Sequence, residues 1–490
     1  MTPAPPISRR SVGLRSERGP LLAALMLTTA LVALDSTIIA TAVPSIVDDL
    51  GGFAQFPWLF SIYLLAQAVS TPIYGRLADV LGRRPVMLAG IGLFFVGSVL
   101  CGLAWSMPVL ILARAVQGLG AGAVLPMSQT IAGDVYTLAE RAKIQGYLAS
   151  VWGISAVVGP TLGGVFSEYV SWRWIFWINL PLCLVAAVVL TRTFDERVRR
   201  TRGAIDYPGA ALLSVGCALL ILGLLEGGEA WAWASVWSFL VLGGGLLLVA
   251  GFVVVERRVA APILPLWVFT RRVLVASSLA AVAVGAVVLG LTSYVPTYAQ
   301  GSLGAGPITA GFTLAMLTVG WPLAASLSGR VYLKVGFRTT AVLGSGLVVA
   351  GTLLVVLSTS AGAGLLALAG SCFVVGTGLG LVASPTLIAA QSSVGWTERG
   401  VVTGNNLFSR SLGSALAVAV LGAVANGVLD GRQPTRDALT SASTWVFVGV
   451  AVMGVAMVGA VAAMPRGEAR EHAETAPVDA ARAKTSAPAG

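Results

Sequence analysis

Asp35 stands inside an apolar run from Leu21 to Val43, in the segment Leu34-Asp35-Ser36-Thr37-Ile38-Ile39. A carboxylate in hydrocarbon costs several kcal/mol, so one placed there is expected to work rather than to fill space. Its chemistry would be that of a proton carrier, holding or releasing a proton as its surroundings open to one side or the other. Two guanidinium groups are similarly placed. Arg114 heads the run Arg114-Ala115-Val116-Gln117-Gly118-Leu119-Gly120-Ala121-Gly122, and Arg410 lies about three turns into a later apolar run. An arginine inside a span needs a partner or a wet cavity. The bland alternatives are a static ion pair for Asp35 and an Arg114 that snorkels to the outer interface. Arg410 is too deep for easy solvation and could meet an acid of the protein or an anionic group of a substrate.

Other polar residues in the apolar runs are sparse. Tyr63, Gln67, Tyr294, Tyr298, Gln300, Asn405 and Asn406 join Arg410 as candidates to line a substrate cavity. Trp152, Trp321 and Phe408 are aromatic walls or plain packing, and Glu226 and Glu229 read as a solvated outer loop. Several chemistries are excluded. The single histidine, His472, rules out a His-based or multi-His metal site, and the four cysteines sit in apolar runs without a CxxC spacing. The glycine runs at Gly118-Leu119-Gly120 and Gly376-Thr377-Gly378-Leu379-Gly380 follow no strand and carry no phosphate-gripping Lys-Ser/Thr, so no nucleotide site is read there. No cluster of nucleophile and base is evident, so an enzyme is not expected, nor any cofactor or metal. Transport would draw on an ion gradient.

The elements that must hold these groups are membrane helices. Of 490 residues, 56% are hydrophobic and 11% charged, where soluble domains carry about 25% charged residues. The apolar runs are about 20 residues long and unbroken, which favours helices over a β-barrel. Fourteen spans are expected, near 21–43, 57–75, 86–105, 108–131, 145–167, 174–192, 208–226, 233–255, 273–299, 307–328, 339–358, 362–390, 401–427 and 442–464. Lysine and arginine test that count: 26 fall in connectors on the side of the N-terminus and 3 on the opposite side. The bias places both termini in the cytoplasm. It also explains the net charge of +10 as a topology signal, with no basic domain for nucleic acid. Met1 to Pro20 reads as a cytoplasmic, disordered N-terminus before an uncleaved first helix, and residues 465–490 as a disordered tail.

An internal repeat divides the chain. Gly75-Arg76-Leu77-Ala78-Asp79-Val80-Leu81-Gly82-Arg83-Arg84 joins spans two and three, and Gly329-Arg330-Val331-Tyr332-Leu333-Lys334-Val335-Gly336-Phe337-Arg338 follows span ten. Two related halves mark a secondary transporter with substrate held between them. The bundles would be residues 21–192 and 273–464, with 193–272 a linker holding two additional helices.

On these motifs the chain resembles the major facilitator superfamily, and within it the fourteen-span drug:proton antiporter group, over residues 20 to 465. The resemblance implies an all-α, polytopic major facilitator fold, two six-helix bundles plus two extra helices. It makes Gly75, Asp79, Gly82, Arg83 and Arg84 a latch between the halves, with Asp134 as the acid that meets a loop arginine. The loop arginines are expected at the cytoplasmic interface. The resemblance assigns proton coupling to Asp35 and Arg114. It also makes Gly159, Pro160, Gly163 and Gly164 an antiporter motif, a pliable helix able to pack closely. Trp172-Arg173-Trp174-Ile175-Phe176-Trp177-Ile178-Asn179-Leu180-Pro181 is similar to the fourteen-span group in particular. Ala40 departs from the family, which has Asn there.

The function expected is a monomeric, multi-pass antiporter of the bacterial plasma membrane, whose partners are a small-molecule substrate, protons and the lipid bilayer. It would export small, largely apolar compounds. Export of one specific endogenous metabolite or lipid is the alternative, and a non-transporting membrane sensor the second.

Overall fold

Long runs of Leu, Val, Ala and Gly in hydrocarbon can satisfy their backbone only internally, and each folds as a helix. The computed structural model describes residues 13–51, 55, 58–194, 196, 206–228, 231–259, 262, 264–429 and 435–466. Glu229 and most of the two expected disordered ends lie outside the described residues. The helices are α1 (Gly19–Leu50), α2 (Trp58–Leu81), α3 (Arg83–Gly102), α4 (Met107–Val135), α5 (Leu138–Tyr169), the short α6 (Trp174–Trp177), α7 (Asn179–Thr193), α8 (Tyr207–Glu226) and α9 (Val236–Glu256). After a 3-10 turn at Leu266–Phe269 come α10 (Arg272–Gly301), α11 (Pro307–Val335), α12 (Phe337–Ser360), α13 (Leu365–Ser392), α14 (Arg399–Leu429) and α15 (Arg436–Ala462). Local chemistry sets several starts. Thr137 and Glu140 form a reciprocal capping box on α5, and Asp206 accepts from the Gly209 N–H at the start of α8.

Twelve helical stretches among the described residues are long and apolar enough to cross a membrane, against the fourteen expected. The two that fall short are α2, diluted by Gln67, Ser70, Thr71 and Asp79, and α8, whose apolar part is confined to Pro208–Leu224. Large apolar side chains face outward, among them Leu366, Trp105, Leu247 and Phe239, as lipid contact requires.

One apolar core joins α1 to α5 and α7, through Leu25, Tyr63, Phe94, Met127, Leu148 and Cys183. A second joins α10 to α15, through Val287, Leu317, Val348, Cys372, Leu421 and Phe447. The two groups meet where α5 packs on α11 and α2 packs on α14. The α8–α9 pair lies over the α2–α14 seam, with Ile221 among Leu65, Ala68 and Ala415. The start of α1 and the end of α15 lie at one face, Arg18 bonding the Val135 carbonyl and Met464 packing near Ala142.

Two expectations are corrected here. The segment from Gly75 to Leu81 is not a loop: it is the last two turns of α2, and the connector is Gly82 alone, at φ 103°. The repeat matches it, with α11 running to Val335 and Gly336 at φ 86°. Only glycine turns this sharply without a Cβ penalty. Backbone hydrogen bonding carries both helices beyond the apolar run, so polar residues there do not mark a helix end. Glu226 is the second correction, being buried rather than solvated.

Candidate functional site

Within the described helices, the charged residues more than five positions from a helix end are Asp35, Arg114 and Arg410. Asp35 and Arg114 meet. Arg114 Nη1 lies 2.6 Å from Asp35 Oδ2, and each side chain is 1% exposed. Around the pair, Gln117 Nε2 donates to Asp35 Oδ1 at 2.8 Å and Asn179 Nδ2 donates to the same oxygen at 3.2 Å. Arg114 also donates to Gln117 Oε1 at 2.7 Å and to the Leu59 carbonyl at 3.1 Å, while its guanidinium lies 4.1 Å from the Tyr63 ring centroid. Ser98 accepts from Gln117 at 2.9 Å. Four helices and the Leu59 end of α2 thus converge on one carboxylate. Arg114 does not snorkel: it is 1% exposed and turned onto a carboxylate, two carbonyl oxygens and a ring face.

The helix carrying Asp35 is pressed against α5 through small residues. A methyl group added at Gly159 would collide with Thr37 Oγ1, and one at Gly163 with Thr41 Oγ1 and the Ile38 carbonyl. Thr37 and Thr41 donate to the carbonyls of Ser155 and Pro160 at 2.9 and 3.3 Å, beside the break that Pro160 introduces. Gly164 is not part of this contact and has open space beside it. On its other side α5 meets α11, with Gly146 against Ser326 and Gly153 near the Thr318 carbonyl.

At the face where the described chain begins and ends, charged groups join the two cores. Asp79 accepts from the Gly400 and Val401 N–H groups at the start of α14 at 3.0 and 2.8 Å. Asp79 also pairs with Arg83 at 2.9 Å. Arg83 Nε reaches Asp134 at 3.0 Å, and Arg399 reaches the other oxygen of Asp134 at 3.0 Å. Arg83 is 0% exposed, so it is not an interface anchor: it donates to the Trp396 carbonyl and lies 3.6 Å from the Trp396 ring centroid. Gly75 and Gly400 allow the backbones of α2 and α14 to touch; a methyl at Gly75 would sit 2.6 Å from the Gly400 carbonyl oxygen. Arg84 turns back to the Thr191 carbonyl at 2.8 Å. The start of α3 is held by Glu196, which accepts from the Arg83 and Arg84 N–H groups at 2.6 and 2.9 Å.

The cavity candidates scatter. Tyr63 is buried under Arg114. Gln67 is partly buried, and its carbonyl accepts from Thr71. Tyr298 is buried against Phe447 and reaches the Thr359 carbonyl, and Tyr294 packs on the same core, so both face helices of their own group. Asn405 is taken up by Ser278 of α10 at 2.7 Å, and Asn406 by Ser277. Phe408 packs beside α8. Arg410 also stays within its own helix group, its guanidinium 5.2 Å from the Trp321 ring centroid on α11. Sequence reasoning missed Gln117, Asn179, Glu196, Trp396 and Arg399 as partners. Gln117 and Asn179 lie in runs that were singled out, but a neutral amide raises no alarm there.

Two cored groups of apolar helices, a buried ion pair deep within the first and an ionic join between them at one face define a polytopic membrane transporter. The chain belongs to the major facilitator superfamily, whose family model matches residues 25–418. It is a member of a transporter family and not of an enzyme family, and it binds a small-molecule substrate. It is 34% identical over 415 residues to Multidrug transporter protein MdtP of Bacillus subtilis, covering 84% of this chain and 76% of that one. It is 32% identical to Multidrug resistance protein 3 of the same organism, covering 83% and 80%. Among solved structures it is similar to the human organic anion transporter MFSD10, with TM-score 0.66 and 16% identity over 91% of this chain and 99% of that one. It is also similar to the proton:xylose symporter XylE, with TM-score 0.63 and 14% identity over 90% and 94%. These two likenesses establish the fold alone.

Proposed function

We propose that this transporter is a proton-coupled antiporter that exports small, largely apolar compounds, of the kind met as drugs, antibiotics and dyes, from a bacterial cell. The names of the two Bacillus relatives support the substrate class. The observation that carries the proton coupling is Asp35, the one deep carboxylate of the described helices, ringed by Arg114, Gln117 and Asn179.

In this reading α2 and α8 cross the bilayer with the other twelve stretches. Residues 21–192 and 273–464 are the moving bundles, and α8 and α9 belong to the linker between them. The lysine and arginine bias puts the joined face, with Asp79, Arg83, Asp134 and Arg399, in the cytoplasm. The conformation is then closed inward, and Gly75, Gly82 and Arg84 shape the latch. A proton from outside neutralises Asp35. Arg114 is not left bare by this, because Leu59, Gln117 and the Tyr63 ring still hold it. Loss of the ion pair frees α1 against α5 at Gly159, Pro160 and Gly163, and the bundles rock. Each proton entering draws about 2.3 kcal/mol per 100 mV of potential.

The test is gradient-driven uptake of Nile red, a neutral apolar dye, into energised inverted vesicles. Asp35→Asn is expected to abolish gradient-driven transport while the protein remains inserted at normal abundance. Wild-type rates in that variant would overturn the role of Asp35.

A further inference from the structure

The deep charges do not balance. Asp35 is matched by Arg114, each side chain 1% exposed. Arg410 has no such match: among the described residues no carboxylate lies within ion-pair distance of it, and its neighbour is the Trp321 ring. It stands eleven residues into α14, far from either end of that helix. Trp321 is likewise midway along α11, next to Pro322. An aromatic face attracts a guanidinium but does not cancel its charge, and it occupies one flat side while leaving the N–H edge free. A planar fork with free edges is the geometry that takes a carboxylate through two parallel hydrogen bonds. Arg410 is partly exposed. Of the two partners the sequence allowed, an acid of the protein or an anion from outside it, the described residues supply no acid.

We propose that Arg410, backed by Trp321, is the anion-recognising element of the transported molecule's site, so that the exported compounds include largely apolar acids with one carboxylate. This rests on the reading that small apolar compounds are the cargo, but not on Asp35 as the proton carrier. The surplus positive charge repels cations of the same size and shape. Trp321 offers its remaining surface to the apolar body of the ligand.

The test uses the full chain in lipid nanodiscs, without any proton gradient. Three ligands share one ring system: 1-naphthoate, 1-naphthamide and 1-naphthylmethylammonium. Isothermal titration calorimetry should show the carboxylate binding at least about fivefold more tightly than the amide, and the ammonium most weakly. Arg410→Gln should bring carboxylate and amide within about twofold by weakening the carboxylate alone. Arg410→Lys keeps the charge but loses the fork and should retain only part of the preference. If Arg410→Gln does not fold, Arg410→Lys and Trp321→Leu decide, each expected to weaken naphthoate more than naphthamide. No binding of naphthoate, equal binding of acid and amide by the wild type, or a carboxylate preference untouched in every folded variant overturns the proposal. Loss of gradient-driven dye transport through Asp35 would leave these ratios unchanged, so the two readings fail separately.

Discussion

Four arginines show how surroundings decide what one side chain can do. Arg114 is closed in by Asp35, and breaking a buried pair by deleting one member typically costs about 3–5 kcal/mol. Arg83 is shared between two carboxylates and a tryptophan ring. Arg410 has only a ring. Arg173 is half-buried, pairing with the exposed Asp49 at 2.7 Å and lying over Trp172, whose N–H also bonds Asp49. The Arg173 and Trp172 hydrogen bonds hold the Asp49 carboxyl below its ordinary range. A carboxyl depressed in the folded state stabilises above its unfolded pKa and loses that contribution as pH falls through the folded one. Asp49→Asn should therefore lower thermal stability slightly at pH 7, by less than about 1 kcal/mol for an exposed pair. That difference should persist at pH 5 and fade only below about pH 4. Thermal unfolding of both proteins across that range checks it, and a difference already lost at pH 5 would refute the assignment. Asp35 and Arg114 were legible because a charged residue in an apolar run is unmistakable. Their union was not, since they are 79 residues apart, and the amides of Gln117 and Asn179 carry no such signature.

At the scale of elements, α5 is the mediator. One side fits α1 through Gly159 and Gly163, the other fits α11 through Gly146 and Gly153. Gly163→Val should introduce about 1–3 kcal/mol of overpacking against Ile38 and Thr41 and remove most efflux. Gly164→Ala has room, and should be neutral or slightly stabilising in a helix. Nile red transport and thermal unfolding compared for the two variants test this; equal effects would mean that the α1–α5 contact is not what the motif serves. The motif's glycines could be read from sequence, but which of them touch could not, because Gly163 and Gly164 differ only in the direction they face. Helix length was misjudged for a related reason. Asp79 and Arg83 look like the edge of a membrane span, yet they are buried because another helix's N-terminus and a second carboxylate await them.

For the whole molecule, the ionic join at one face should set the balance between conformations. Asp134→Asn takes a charge from between Arg83 and Arg399. The loss, of order 3–5 kcal/mol for a buried pair, exceeds what a tenfold population shift requires. Spin labels on cysteines replacing the exposed Leu81 and Leu333, in a background without the native cysteines, should report a longer separation in the variant. An unchanged distance distribution would show that the join is not a latch. The repeated Gly-Arg motif made two matching turns legible, at Gly82 and Gly336. The twelve strongly apolar stretches were legible too, whereas α2 is diluted by polar residues such as Gln67 and Thr71 and the apolar part of α8 is short.

The repeated turn is fastened by different chemistry in its two copies. In the first, Asp79 and Arg83 bracket Gly82 as ions; in the second, Tyr332 and Phe337 bracket Gly336 as rings stacked 4.6 Å apart, with the Tyr332 hydroxyl on the Leu138 carbonyl. Parting the α2–α14 seam leaves Asp79 paired with Arg83 and gives it water in place of the α14 N–H groups, while parting the α5–α11 seam exposes ring surface that Ala142 covers. Water at this rim therefore offsets part of the cost of separation along the first seam and adds to it along the second. A gate built so is a door with its bolt on one jamb and its hinge on the other.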